Sequence, residues 1–519
     1  MTRLTSCRSR QLYRGGLTLA PASRKGALMT DTPPLMLFNS LTRSLEPFRP
    51  LHAGEARVYT CGPTVYAYQH IGNMRAYVFA DTLGRTLSVH GYKLSHVINI
   101  TDVGHLTSDA DAGDDKMEKA AAAAGKTAWD IAAYYQADFE SDLARLNIRK
   151  PQHPRATDYV PQMIEWAKSI EAKHCYRLDS GLYFDTATVP DYGRLARAST
   201  DGGESRIDPV PGKRNPVDFA IWRTTPAGET RQMEWDSPWG RGAPGWHLEC
   251  SVMSAALLGH PFDIHTGGID HREVHHPCEI AQNQAHSGSN GGDCDHSGAG
   301  IWMHNNFLID RRGKMSKSSG EFLRLQTLVD RGFHPLAYRL MCLSAHYRSE
   351  LEFSWEGLLA AQTRLKRMVM AHAKSLDQLR EPPAQIPGDC WEREGVTRAL
   401  VERFVSAVSN DLNTADALTV LDELLALKRT APECVVTAAH EMDRVLGLNL
   451  GRLSRTDLRV RPKSATIDEE RIEARLTERR EARAAKDFAR SDALRDELIA
   501  AGVEVMDGDP LGWDWRVDI

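Results

Sequence analysis

The chain has 519 residues, 42% of them hydrophobic and 26% charged, the composition of a soluble globular protein; single cores seldom grow beyond roughly 250–300 residues, so several domains are expected. A net charge of −5 excludes nucleic-acid binding by bulk basicity, so any RNA contact must use local patches. No apolar run approaches the ~20 residues of a membrane helix, so no membrane partner is expected.

Residues 1–34 read as an N-terminal extension. Arg3, Arg8, Arg10, Arg14, Arg24 and Lys25 precede the first acid, Asp31, as in a transit peptide. No amphipathic helix accompanies them, which favours a mis-assigned start with Met29 as initiator. The first half of a sheet domain spans 35–145. Within it Arg57–Cys61 predicts a strand stopped by Gly62-Pro63, followed by a loop carrying Tyr66, Tyr68 and His70. Ala76, Phe79, Ala80, Leu83 and Leu87 then fall at helical spacing up to Gly91, and Lys93–Ile100 predicts the next strand. Strand, helix and strand in this order imply a parallel, doubly wound sheet.

Helical stretches over Met117–Asn147 and Ala156–Lys173 and a strand at Gly181–Phe184 interrupt that pattern, with a connective insertion assigned to 146–230. The second half, 231–330, resumes with a strand at Pro261–His265, opening into Thr266-Gly267-Gly268, and another at Asn306–Asp310. Gly, Ser and Asp crowd 287–300 and predict a surface loop between them. A helical domain over 331–464, broken by the Pro-rich Glu381–Pro387, precedes a small domain at 465–519. There Arg471, Arg475, Arg479, Arg483, Lys486 and Arg490 recur at helical spacing among acids, predicting a salt-bridged face. The fold class is therefore α/β: a doubly wound parallel (Rossmann-like) nucleotide-binding sheet with an insertion, then a helical bundle and a small C-terminal domain.

Two segments carry phosphate chemistry. His70-Ile71-Gly72-Asn73 lies where a strand hands over to a helix, and a helix N-terminus offers N–H groups and positive dipole to phosphates. Gly72 permits close backbone approach, while His70 and Asn73 can donate hydrogen bonds. Lys314-Met315-Ser316-Lys317-Ser318 follows a strand and a turn, and Lys314 and Lys317 would stabilise charge developing on leaving pyrophosphate. Gly125-Lys126-Thr127 mimics the end of a P-loop, but Ala120 stands where the first glycine is required. The nine cysteines, Cys7, Cys61, Cys175, Cys250, Cys278, Cys294, Cys342, Cys390 and Cys434, include no CxxC pair. They fit a reduced, cytoplasmic protein and specify no zinc site by spacing.

Together the two phosphate segments resemble the signatures of class I aminoacyl-tRNA synthetases. Val58–Tyr66, Gly245–Ser251, His275–Glu279, Ala482–Asp487 and Trp513–Arg516 narrow the resemblance to the cysteinyl-tRNA synthetases, from about Leu35 to the C-terminus. The resemblance implies joining of L-cysteine to its tRNA through cysteinyl-AMP, with Mg²⁺ accompanying ATP. It implies one zinc per chain on Cys61, Cys250, His275 and Glu279, with neighbouring His276 and Cys278 as non-ligands. A substrate thiol can bind zinc as thiolate whereas a serine hydroxyl is a poor ligand, which would make an editing domain unnecessary. Trp246 would wall the side-chain pocket and Thr101 contact the amino acid. Gly72, Gly267, Gly268, Asp270 and Lys317 would bind ATP, and Trp515 and Arg516 the anticodon. Residues 331–464 become a stem-contact and bundle domain and 465–519 an anticodon-binding domain, in a protein expected to be monomeric.

Two departures stand out. Asn73 replaces the histidine of the class pattern, which keeps a donor but removes a titratable group. Gly104–Gly113 lengthens a segment that is short in the commoner family form, and no function is assigned to it. An ATP-dependent ligase joining cysteine to an amino-sugar is the alternative; it should lack the C-terminal RNA-binding region. A non-catalytic relative should have lost phosphate lysines or zinc ligands, and a zinc hydrolase would leave the Lys314–Ser318 segment without a role.

Overall fold

The structure is a computed structural model that describes residues 32–103, 116–196, 210–288, 296–310, 323–379, 386–507, 509 and 511–519, with 313–314 described as backbone. The N-terminal 31 residues, the Gly104–Gly113 segment and Lys317 lie outside the described residues.

The chain opens with a hairpin of β1 (Met36–Asn39) and β2 (Ser44–Pro47). Then β3 (Glu55–Thr60), α1 (Ile71–Val89) and β4 (Lys93–Ile98) form the first βαβ unit. Helices α2 (Lys116–Ala124) and α3 (Ala128–Arg145) follow. The single helical stretch expected over Met117–Asn147 is divided, because Gly125 takes φ +60° and Thr127 starts a new helix with a capping box to Asp130. After α4 (Val160–His174), the strands β5 (Cys175–Leu178), β6 (Gly181–Phe184), β7 (Phe219–Thr224) and β8 (Gly242–Pro244) make an antiparallel sheet. Its last strand lies beyond residue 230, so the insertion's own sheet runs further along the chain than its expected end.

The second unit comprises α5 (Trp246–Leu258), β9 (Phe262–Gly268), α6 (His275–Ser287) and β10 (Ala299–Asn305). The parallel sheet has the order β10-β9-β3-β4, so its two halves meet where β3 pairs with β9. The crevice beyond the carboxyl ends of these two strands is the topological switch point, where such sheets bind ligands. The expected last strand is corrected here. Residues 299–305, which begin inside the expected surface loop, supply the sheet strand, while β11 (Leu308–Asp310) joins β12 (Gly313–Lys314) and β13 (Leu351–Glu352) in a separate small sheet. Ala299-Gly300 beside the polar-rich approach hides a strand whose Ile301, Trp302 and Met303 are buried.

Helices α7 (Leu325–Asp330), α8 (Pro335–Leu343), α9 (Trp355–Asp377), α10 (Gly395–Ser409), α11 (Thr414–Leu425) and α12 (Pro432–Leu446) form the helical region. The C-terminal unit pairs α13 (Glu469–Ala484) and α14 (Phe488–Ala500) with the hairpin of β14 (Val503–Val505) and β15 (Trp513–Trp515). Its Arg475, Arg479, Arg483 and Arg490 pair with Glu478, Glu497 and Asp507, the salt-bridged face expected of this helix pair. Asp514 accepts hydrogen bonds from Arg455 at 2.6 Å and from Lys366 of α9, tying the unit to the bundle. No helix among the described residues is long and apolar enough to cross a membrane.

One buried charge joins the sheet domain to the bundle. Asp81 of α1 accepts from Arg85 at 2.6 Å, from Arg339 of α8 at 2.7 Å and from the Arg149 amide at 3.0 Å. Arg339 is fully buried and also donates to Leu446 O and Leu146 O, the ends of two further helices. Burial would raise the Asp81 carboxyl, but Arg339 and Arg85 hold it below the ordinary carboxylate range. Asp81→Asn should cost about 3–5 kcal/mol, because buried guanidinium charge loses its counter-ion. Calorimetry should show a clear fall in Tm at neutral pH. The folded pKa is depressed, so the wild-type contribution is lost as pH falls through it, and the Tm gap should narrow below pH ~4.

Candidate metal centre and active site

The switch point gathers polar side chains from both halves. At the end of β3, Cys61 donates its amide to Thr266 O at 3.0 Å, which sets the thiol beside β9. Gly62 follows, and its amide donates to Asn99 Oδ1 at 2.8 Å. A Cβ at position 62 would lie 1.5 Å from Asn99 O, so the close approach of the two strand exits requires glycine there. From the other half, α5 presents Trp246, Glu249 and Cys250, and α6 presents His275 and Glu279 one turn apart.

Ligand atoms of Cys61, Cys250, His275 and Glu279 all lie within 4.8 Å of one another, and all four residues are buried. His275 Nε2 is 3.4 Å from Cys250 Sγ and 3.1 Å from Glu279 Oε1. Its other nitrogen, Nδ1, is 2.8 Å from His247 Nδ1. Glu279 Oε2 bonds His265 Nε2 at 2.9 Å, while Oε1 is buried without a hydrogen-bond partner among the described residues. Orienting bonds on the outer atoms and converging inner atoms are the arrangement of a metal cage. Two thiols, an imidazole and a carboxylate suit zinc, and the orphaned Glu279 Oε1 is the buried acceptor that such an ion would satisfy.

A second group, Cys61, His265, His276 and Glu279, meets the same 4.8 Å limit. His276, expected to be a bystander, has Nε2 3.2 Å from Cys61 Sγ and Nδ1 2.8 Å from His304 Nε2. His304 continues to Ser40 Oγ at 2.8 Å. In both groups the donor atoms are close enough to contact one another, and the two groups share Cys61 and Glu279. Cys278 Sγ lies 3.5 Å from Tyr192 Oη and belongs to neither group.

The electrostatics centre on the two thiols. Burial opposes ionisation of Cys61, yet the Cys250 hydrogen bond and the neighbouring His276, His271 and His265 hold its thiol well below the usual range. Cys250 is pushed well above it by that same hydrogen bond, by burial and by the Cys61 charge. The two thiols thus favour ionisation of Cys61 over Cys250. His271, despite burial, is pushed up to about 9 by the Cys61 thiolate. Burial drives His276 and His304 well below the imidazole range.

Thr101 Oγ1 donates to Glu249 Oε2 at 2.7 Å and accepts from Asn99 Nδ2 at 3.2 Å. Glu249 is fully buried, its Oε1 has no hydrogen-bond partner among the described residues, and burial raises its carboxyl well above the ordinary range. The Trp246 ring, partly exposed, covers His275 with centroids 4.4 Å apart. Gly267 and Gly268 end β9, where a Cβ would lie 2.7 Å from His271 Nδ1 or 2.5 Å from Asp270 Oδ1.

His70 is the N-cap of α1. Its Nδ1 accepts from the Asn73 amide at 3.2 Å, and its own amide donates to Asn73 Oδ1 at 3.3 Å, closing a capping box. The neutral ring then carries its proton on Nε2 as a donor. Gly72 makes room: a Cβ there would lie 2.9 Å from the His70 ring. Lys314 is described only as a backbone position paired with Ile309, and Lys317 lies outside the described residues. Just beyond that segment, Leu323 O accepts from the Ile71 amide at 2.9 Å, so its exit lies on the first residue of α1.

Far from this centre, Trp515 is 2% exposed and packs in the core of the C-terminal unit with Trp513. Its ring face is covered, which corrects the expectation of base stacking; neighbouring Arg516 is exposed. The large aromatic displayed by that unit is Phe488, 62% exposed at the start of α14 beside Lys486 and Arg490. Glu249, His265 and Asn99, which contact the candidate site, and the exposed Phe488 were not singled out by the sequence reading. For Phe488 a signal existed, an aromatic inside a basic stretch; for the buried three there was none.

Residues 47–363 match the family described as tRNA synthetases class I (C) catalytic domain, and residues 469–516 match the cysteinyl-tRNA ligase anticodon binding domain. A cysteine–tRNA ligase of Novosphingobium aromaticivorans is 67% identical over 93% of this chain and 97% of its own length. One from Zymomonas mobilis is 52% identical over 93% and 98%, and one from Thermus thermophilus 36% identical over 93% and 99%. Among solved structures, a leucyl-tRNA synthetase of Agrobacterium radiobacter K84 in a ternary complex with tRNA shares the fold at TM-score 0.54 and 13% identity, covering 78% of this chain and 85% of its own. A Mycobacterium tuberculosis methionyl-tRNA synthetase bound by methionyl-adenylate does so at 0.50 and 16%, covering 76% and 90%.

Removing one inner donor tests the cage. Cys250→Ala should lower zinc content and affinity by at least ~10-fold, since orienting partners alone are worth ~10–100-fold and a direct ligand more. Metal analysis of the purified variant beside His276→Ala, which should keep its zinc, separates the two groups; the reverse result would select the second.

Proposed function

The chain belongs to the cysteine–tRNA ligase family of class I aminoacyl-tRNA synthetases, and from that membership we propose how its residues share the reaction. The protein is a cysteine–tRNA ligase: it activates L-cysteine with ATP as cysteinyl-AMP and transfers the cysteinyl group to tRNA. The proposal concerns the residues, the metal, the compartment and the assembly state.

Cys61, Cys250, His275 and Glu279 would hold zinc, with His247 and His265 fixing the outer atoms of His275 and Glu279. When bound, zinc supplies a soft Lewis-acidic position that takes a thiolate and disfavours a hydroxyl. Trp246 closes one side of the thiol's pocket, and Thr101, fixed between Asn99 and Glu249, faces the amino acid with its remaining lone pair. Gly72, Gly267 and Gly268 keep the backbone bare for ATP, and Asp270 borders the adenosine. His70 donates from Nε2 to phosphate, and the Asn73 amide side chain keeps that ring in place. Lys314 and Lys317 neutralise the pyrophosphate that leaves with Mg²⁺.

Arg516 and Phe488 take the anticodon, the one by charge and the other by stacking. A monomeric assembly is part of the same proposal. Among the described residues seven cysteines are free and six of them are buried, which supports a reducing cytoplasm. The observation that carries this reading is the convergence, within 4.8 Å, of ligand atoms from positions as distant as 61 and 279.

Charging of total tRNA with labelled cysteine, beside serine, tests it: cysteine-specific charging is expected. No charging with cysteine-dependent pyrophosphate exchange intact would point to an amino-sugar acceptor instead. Lys317→Ala should slow adenylate formation by ~10²-fold or more, as loss of one electrostatic transition-state contact does; a near-normal burst rate would remove it from the mechanism. Phe488→Ala should raise the KM for tRNA by ~5-fold or more at unchanged exchange rate.

A further inference from the structure

Three tyrosines crowd the approach to the active site, and the ligation chemistry above uses none of them. Tyr68 stands two residues before His70 on the loop leaving β3. Tyr134 and Tyr135 of α3 pack on it, with ring centroids 6.1 Å and 5.0 Å from that of Tyr68 and 5.1 Å from each other. The hydroxyls of Tyr68 and Tyr134 are 2.7 Å apart. Cations line the cluster: the Arg324 guanidinium lies 3.2 Å from the Tyr68 centroid and Lys126 Nζ 5.4 Å from that of Tyr134. Lys116 Nζ stands 5.4 Å from the centroid of neighbouring Tyr66. Asp138 pairs with Arg324 at 3.3 Å and offsets part of this charge.

The placement is specific. Tyr68 flanks the phosphate-binding turn at His70, and Arg324 immediately follows Leu323, whose carbonyl is bonded to Ile71. The cluster therefore borders the exits of both signature segments. Tyr134 remains 50% exposed. Tyrosine rings packed edge to face, with an exposed ring among cations, offer the surface on which single-stranded nucleic acid bases stack without sequence readout. In a chain of net charge −5 this is a local patch of the kind that an RNA contact requires. Only one part of a tRNA must come to this place, the terminus whose ribose takes the aminoacyl group.

We propose that Tyr68, Tyr134 and Tyr135, with Arg324 and Lys126, form a stacking platform for the unpaired 3′-terminal nucleotides of the tRNA. The proposal rests on the tRNA-ligase reading. The platform holds the incoming strand beside α1 while the terminal ribose reaches the adenylate, and it takes no part in forming that adenylate.

Tyr134→Ala in the full-length enzyme is the test, with Tyr134→Phe as the variant that keeps the ring and loses only the hydroxyl. Binding is measured for intact tRNA and for the same tRNA trimmed of its unpaired 3′ nucleotides, beside cysteine-dependent pyrophosphate exchange. Tyr134→Ala should weaken intact tRNA by ~5- to 100-fold, the loss expected for one stacked base, and leave trimmed tRNA and exchange unchanged. Tyr134→Phe should stay near wild type. Equal weakening of both tRNAs, no weakening of either, or a parallel fall in exchange would each overturn the platform. A partner protein seated on the cluster would give the second of these results. Failure of the wild-type enzyme to charge any tRNA would instead count against the ligase reading and is seen before any variant is made.

Discussion

Val58 with Ile264, Tyr59 with His265 and Thr60 with Thr266 are the three register pairs that join the halves of the parallel sheet. The Thr60 and Thr266 hydroxyls, 206 positions apart in sequence, meet at 2.7 Å. These pairs put the carboxyl ends of β3 and β9 side by side, and all else at the site is placed from there. Cys61 leaves one strand, Gly267 and Gly268 leave the other, and α5 and α6 bring the remaining donors over the gap. A one-residue slip would turn Tyr59 and His265 to the opposite face and carry Cys61 away from Cys250. The insertion between the halves, with its antiparallel sheet, must therefore be accommodated without disturbing three pairs of residues.

The cost of the site is polar burial. His265, His275, His276, Glu249 and Glu279 are each no more than 1% exposed, and each such group requires a partner or an ion. The partners form chains rather than pairs: Cys61, His276, His304 and Ser40 in one direction, and Gly62, Asn99, Thr101 and Glu249 in another. Trp302 stacks on His265 with centroids 4.6 Å apart, so a strand absent from the sequence reading walls the cluster. Such networks favour one arrangement strongly when complete and are costly when a member is missing.

The doubly wound sheet was legible because β3, α1 and β4 follow hydrophobic periodicity closely, with Gly62-Pro63 marking the turn between strand and helix. Local signals failed at β10, where Gly300 and the polar residues before it resemble loop, although Ile301, Trp302 and Met303 are buried. The division of α2 from α3 rests on one glycine and one capping threonine, too little to outweigh a long alanine-rich run. The four candidate ligand positions were named by family resemblance; their spacing alone specified nothing, because the side chains meet only through β3–β9 pairing. His265 sits mid-strand and Glu249 in the first turn of α5, so only the assembled structure distinguishes them from core. Trp515 erred in the other direction: the hairpin that displays Arg516 turns the indole inward.

His70 holds two posts with one ring. Its Nδ1 lone pair caps α1 by accepting the Asn73 amide, and its Nε2 is the atom proposed above to donate to phosphate. An imidazolium has no lone pair, so a second proton would set N–H against N–H at the start of the helix. Protonation of this ring would act on the turn through helix geometry as much as through charge, because the first turn of α1 would lose its clasp. Neutral imidazole is the form in which the fold and the chemistry agree, and Asn73, which cannot itself take up a proton, keeps its half of the clasp at every pH.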